Sequence, residues 1–111
     1  MRFAGTQVFE AEVDDGNSGT AKTIDFSKGN VHKLTLTGAC AITLGAPAGP
    51  GYFQIRCIAG SGAGQVSFST TVLWFEAAGV PTTSTAAGKV TIYSLYYDGA
   101  AWYGSGGRYS P

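Results

Sequence analysis

The sequence is poor in the residues that usually carry chemistry. Among 111 residues there is one histidine, His32, and there are two cysteines, Cys40 and Cys57. One histidine excludes any centre built on two imidazoles. Charge is scarce too: seven Lys and Arg balance seven Asp and Glu, and charged residues make up 13% of the chain, about half the usual ~25% share. The cations Arg2, Lys22, Lys28, Lys33, Arg56, Lys89 and Arg108 stand singly, so no basic stripe marks a nucleic-acid partner. No apolar run reaches the ~18 residues of a membrane span, and the first seven residues lack the ~7 to 15 apolar residues of a signal-peptide core. The expectation is synthesis in a cytosol with no membrane partner. Two widely spaced thiols in that setting are expected to pack as small apolar groups, not to pair as a disulfide.

What the sequence does contain is strand chemistry. Apolar residues are 44% of the chain, which excludes a disordered polymer, and a chain of this length supports one core, hence a single domain over 1–111. Seventeen glycines together with many Thr, Val, Ile, Phe and Tyr favour strands and turns. No long window keeps apolar residues at helical spacing, whereas period-two alternation returns repeatedly. It predicts strands over Thr6 to Val13, Thr23 to Ser27, Lys33 to Thr37, Cys40 to Leu44, Tyr52 to Cys57, Val66 to Phe68, Val72 to Phe75 and Lys89 to Tyr97, with a return through Trp102. Asp14 to Gly19 reads as a turn, Gly38-Ala39 as the turn of a hairpin, and Asp98-Gly99 as a two-residue hairpin loop. The predicted fold class is all-β, a jelly-roll-like antiparallel β-sandwich of about eight short strands. A short N-terminal arm covers about residues 1–19, and a Gly-rich C-terminal tail covers 104–111.

Each residue that could do chemistry has a blander reading. His32 stands beside Lys33 at a strand start, as a surface residue would. Cys40 and Cys57 fall in the inward phase of their strands, where thiols stay protonated, which argues against a Cys–His dyad. Glu10, Glu12 and Asp14 share one face of one strand and project in parallel, so they do not flank a substrate as glycosidase carboxylates do. Asp14 to Gly19 lacks calcium-loop spacing and a closing Glu, and the glycines from Gly60 to Gly64 open no helix that could hold a phosphate. No cofactor and no enzymatic activity are expected.

Most of the chain from Thr23 onward resembles a β domain of bacteriophage virion proteins: tail fibres, head fibres and capsid decoration proteins. The resemblance is carried by Ile24-Asp25-Phe26-Ser27-Lys28-Gly29-Asn30, the Pro-Gly loop before Phe53-Gln54-Ile55, the Trp74 segment and Val80-Pro81-Thr82-Thr83. Its most specific part runs from Ala87 through Lys89-Val90-Thr91-Ile92-Tyr93-Ser94-Leu95-Tyr96-Tyr97-Asp98-Gly99 to Trp102-Tyr103-Gly104. The chain departs from that pattern after Trp74, where it has Phe75-Glu76-Ala77-Ala78-Gly79 and not a Trp-Pro-Gly-Gly-like element, and at Thr91, where an acidic residue is common. A single copy with a short arm resembles the capsid decoration or staple proteins of short-tailed phages of enteric bacteria. The resemblance implies a virion structural protein on the capsid surface whose partner is the major capsid protein. The alternative is a tail-fibre or receptor-binding module that recognises host surface glycan.

Arms and exposed aromatic anchors supply area and hot spots, which makes Phe9, Glu10, Glu12, Trp74, Tyr93, Tyr97, Trp102 and Tyr103 the candidate interface. Val72 to Phe75 and Val90 to Tyr97 are apolar on both sides, so a homo-oligomer, dimer or trimer, is expected to cover them.

Overall fold

In a computed structural model, which describes residues 12–109, the alternation becomes nine strands and two single-turn 3-10 helices. The strands are β1 (Val13–Asn17), β2 (Ala21–Asp25), β3 (Val31–Leu36), β4 (Cys40–Gly45), β5 (Gly51–Ala59), β6 (Val66–Phe68), β7 (Val72–Trp74), β8 (Val90–Tyr97) and β9 (Trp102–Tyr109). The described residues are thus all-β, as the composition predicts. Alternation decides which side chains are buried: Leu34 and Leu36 on β3, Cys40, Ile42 and Leu44 on β4, and Phe53, Ile55 and Cys57 on β5 all point into one core. Ile24, Phe26, Val66, Tyr93, Leu95 and Trp102 complete it.

The strand directions differ from expectation. A six-stranded sheet has the order β1-β3-β5-β8-β9-β7, and a three-stranded sheet has the order β2-β4-β6. Up to β6 the chain alternates between the two sheets, and each strand pairs in parallel with the one two before it. The β7–β9 ladder is parallel as well, which leaves β5–β8 and β8–β9 as the antiparallel pairs. The predicted antiparallel jelly-roll order is therefore corrected. Period-two alternation reports which face is buried and says nothing about direction.

Gly38-Ala39 shows how the misreading arises. It is not a hairpin turn but a corner that carries the chain from β3 in one sheet to β4 in the other. Successive corners stack on one another: Thr37 N–H donates to Ser18 Oγ (3.0 Å), Gly19 N–H to Thr37 Oγ1 (3.1 Å) and Cys40 N–H to the Gln65 carbonyl (3.2 Å). Gly64 lies so close above Ala39 that a Cβ there would sit 2.6 Å from the Ala39 nitrogen.

Three further boundaries shift. Asp14 to Asn17, expected as a turn, forms β1, with Gly16 at φ +75 and a register break between Asp14 and Asn17. The glycines expected to free the tail instead run within β9 to Tyr109, because aromatic rings and a neighbouring strand need the space their missing side chains leave. A Cβ on Gly104 would lie 2.6 Å from the Trp74 ring, and one on Gly106 2.6 Å from the Ile92 carbonyl. In the last hairpin the central pair is Gly99-Ala100, not Asp98-Gly99, with Gly99 at φ +103 and Asp98 N–H donating to the Ala101 carbonyl (3.1 Å). That slip moves the pairing by two residues, so the faces are unchanged and Tyr103 comes to lie opposite Tyr96.

Candidate functional site

The outer face of the six-stranded sheet is organised in rows by strand register. Tyr52 on β5 lies opposite Tyr96 on β8, Tyr96 opposite Tyr103 on β9, and Tyr103 opposite Leu73 on β7. Ring centroids are 4.8 Å apart between Tyr52 and Tyr96 and 6.2 Å between Tyr96 and Tyr103. This row is unusually open for its chemistry: Tyr52 is 75% exposed, Leu73 53% and Tyr103 42%, and Phe75 just beyond is 69% exposed. Phe75 is presented by a turn in which Glu76 and Ala77 both take φ +54, a left-handed conformation that costs a non-glycine residue about 1 kcal/mol.

The adjacent row is small and polar: Gln54, Ser94 and Ser105 lie opposite one another, with Val31 beyond Gln54. Small side chains beside large rings make a groove of about 390 Å³ over Ser94 and Ser105, walled by the tyrosines on one side and by Trp74 and Phe75 on another. A second hollow of about 240 Å³ extends past Gln54 towards Val31 and Asn30. The wall is braced. Asn30 Nδ2 donates to the Tyr52 carbonyl (2.8 Å), and the Tyr103 hydroxyl donates to Asp98 Oδ2 (3.2 Å). The Ala101 and Ala100 N–H groups hold the Asp98 carboxyl below the usual carboxylate range, and that acceptor in turn raises the Tyr103 phenol.

The charged groups gather elsewhere on the sheet. Arg56 on β5 grips Glu12 through two bonds, Nε to Oε2 (2.8 Å) and Nη2 to Oε1 (2.7 Å), and this holds the Glu12 carboxyl below its ordinary value. Lys33 Nζ is 3.5 Å from Asp14 Oδ2, and His32 Nδ1 is 2.7 Å from Asp15 Oδ2. Every ion pair among the described residues therefore joins the stretch Glu12 to Asp15 to β3 or β5.

His32 corrects its surface reading. It is fully buried, its ring meets Phe26 edge-on at 5.1 Å, and its Nε2 lies 3.1 Å from the Gly29 carbonyl. Both ring nitrogens face acceptors. The thiols are buried and unpaired, as expected, and burial pushes Cys57 up to about 12, where a thiolate is scarce.

The candidate interface divides. Phe9 and Glu10 lie outside the described residues, and Glu12 is the clamp partner of Arg56. Tyr103 is on the surface. Tyr97 is half-buried, its ring 4.6 Å from Trp102 and its hydroxyl donating to the Gly99 carbonyl (3.0 Å). Trp74 is half-buried over Gly104, against Phe68 and Tyr93. Tyr93 and Trp102 are core residues, 0% and 5% exposed, and so cannot serve as contact residues. Their strand phase places them inward with Leu95 and Gly104, and the Tyr93 hydroxyl is engaged by Thr83 Oγ1 (2.6 Å) and the Pro81 carbonyl (3.2 Å).

Of the outward residues beyond the candidate interface, Leu73, Phe75 and Tyr96 fall in the two apolar stretches expected to be covered, and Tyr52 lies outside both. Alternation does hold the signal for Tyr52, which precedes inward Phe53, and for Tyr96, which follows inward Leu95. Their alignment into one row depends on registers that no local pattern carries. No family model, curated protein or solved structure gives a significant match to the chain, so its function has to be read from its own residues.

Proposed function

We propose that this chain is a structural protein of a bacteriophage virion: a non-catalytic capsid staple that binds the outside of the head and stabilises contacts between neighbouring major capsid protein subunits. The observation that carries the reading is the clamp that holds Glu12 to Asp15 on the six-stranded sheet. A chain with few charges commits its two described Lys and Arg ion pairs, together with the His32–Asp15 hydrogen bond, to fastening Glu12 to Asp15 onto β3 and β5, which suits a segment that transmits load into a sheet. The likeness of the Lys89 to Gly104 stretch to phage virion domains supports the same reading. In this proposal the two sheets act as the layers of a sandwich, and a dimer or trimer covers the half-buried outward residues Val90 and Ile92 at the start of β8.

The staple works by mass action. Protein that binds the assembled shell, and not an expanded or broken one, stabilises the shell by the binding free energy. Purified particles test this: the chain should be present in many copies on the head, and adding it to stripped heads should raise their resistance to heat. Copies confined to the tail would instead favour the receptor-binding module.

A further inference from the structure

We propose that the groove beside the tyrosine row is a binding site for a linear, neutral oligosaccharide, separate from the stretch Glu12 to Asp15 on which the staple reading rests. The first argument is charge. Neither the groove nor its extension is lined by any Asp, Glu, Lys or Arg, and the Asp98 carboxylate that accepts from the Tyr103 hydroxyl is already held by the Ala100 and Ala101 N–H groups. A phosphate, a nucleic acid or an acidic peptide would find no positive counter-charge in that lining.

The second argument is the division of labour between neighbouring rows. Tyr52, Tyr96 and Tyr103 offer ring surface to the C–H faces of a sugar, and Ser94, Ser105 and Gln54 offer hydroxyl and amide groups to its hydroxyls, one row beside the other. A purely apolar protein contact would make no use of the polar floor. The row from Tyr52 to Leu73 crosses three strand spacings, about 14 Å, which fits a short linear chain of sugar rings.

The third argument is area. With each exposed side chain presenting on the order of 100 to 200 Å², the open parts of Tyr52, Leu73, Phe75 and Tyr103 total roughly 500 Å². That is the size of a functional patch on a monomer and falls short of the ~800 Å² per partner of a stable protein interface. The volumes of about 390 and 240 Å³ lie within the range of small-ligand sites.

The test is titration of the intact protein with malto-, cello-, laminari- and chito-hexaose, with an alginate hexamer as the acidic counterpart, followed by the fluorescence of tryptophan, since Trp74 lines the groove. At least one neutral hexasaccharide should bind saturably. Tyr96→Ala, and Ser105→Trp, which fills the floor, should each weaken binding by about tenfold or more, whereas Tyr109→Ala, outside the groove, should leave it unchanged. Thermal melts of the variants separate loss of binding from loss of fold. Saturable binding by none of the neutral probes, stronger binding of alginate, or indifference to both groove substitutions overturns the proposal. So does loss of particle attachment in Tyr96→Ala without any sugar binding by the parent, which would make the groove a protein contact. Loss of attachment in Glu12→Ala with sugar binding intact bears on the staple reading and leaves the groove standing.

Discussion

The two halves of the chain solve the same problem by different means. From β1 to β6 the chain winds between two sheets, and paired residues lie 18 to 26 positions apart, from Asn17 opposite Thr35 to Cys40 opposite Val66. Register there is set by stacked corners and by aliphatic side chains of similar size, among them Ile24, Leu34, Leu36 and Ile42. From β8 to β9 the partner is local and antiparallel, register is set by one tight turn, and the interior is filled by Tyr93, Trp74 and Trp102. Rings of that size need glycines opposite them, which is why β9 carries Gly104 and Gly106. The ion pairs follow the first half, whereas exposed aromatic surface is shared between Tyr52 on β5 and the later Phe75, Tyr103 and Tyr109.

The largest expected effects ask whether these halves are one cooperative unit. Ile42 is fully buried on β4, and Ile42→Ala should cost about 3 kcal/mol from lost transfer energy and the cavity it leaves. The core cluster runs without a break from Ile24 to Trp102, so urea should still melt the variant in a single transition at a lower midpoint. Two resolved transitions, with the β8–β9 signal unshifted, would break the molecule into independent halves.

Next in size is a substitution confined to the second half. Gly104→Val places a side chain where the Trp74 ring already lies, and overpacking of this kind costs about 2 kcal/mol. The sharper measurement is the double variant with Trp74→Leu, which removes the ring in the way. Recovery of stability in the double variant assigns the cost to that contact, and equal cost with or without Trp74 would assign it to Val72, whose Cγ1 lies 2.9 Å from the same Cβ, or to the backbone of β9.

These contacts also mark how far the sequence is legible. The inward faces of β3, β4, β5 and β8 follow from alternation, because burial is a property of each strand alone. Their directions do not, because Gly38-Ala39 is equally suited to a hairpin and to a corner, and the choice is made by Ser18 and Gln65, 18 or more residues away. The site follows the same rule. That Tyr103 and Tyr52 point outward is local information, but the groove exists only because three registers bring tyrosines into one row and serines into the next. His32 was misread for a related reason: its acceptors, Asp15 and the Gly29 carbonyl, come from a strand that looked like a turn and from the loop after Phe26-Ser27-Lys28.

A smaller effect tests how the loop over the second half is held. Thr83 is buried, exchanges two hydrogen bonds with the Gln65 amide, and is bonded through Oγ1 to the Val66 N–H (3.1 Å) and the Tyr93 hydroxyl. Tyr93→Phe keeps the ring and leaves the Pro81 carbonyl without its donor, at a cost of about 1 kcal/mol. The Tyr93 phenol is pushed up to about 12 by burial, so it stays protonated at neutral pH and the cost should be flat from pH 6 to pH 9. A cost that changes within that window would mean that the hydroxyl is more open to solvent than its network implies.

The smallest effect probes the first half at its edge, where charge is concentrated. Glu12 and Arg56 keep 28% and 35% of their side-chain surface, so solvent screens the pair and its coupling should be about 0.5 kcal/mol, despite two short bonds. A double-mutant cycle of Glu12→Gln and Arg56→Gln at low and high salt measures it. The sign with pH follows from Glu12. Arg56 lowers its folded pKa below the ordinary value, so the stabilisation is fully present above the ordinary glutamate range and is lost as pH falls through the folded value. The coupling should therefore vanish in acid and shrink in 1 M salt. The Tyr96–Tyr103 pair at the other end of the same face, measured by the same cycle with alanine, should respond to neither. If both pairs prove equally indifferent to salt and acid, the charged edge does not clamp Glu12 to the sheet, and the contrast between the halves is one of geometry alone.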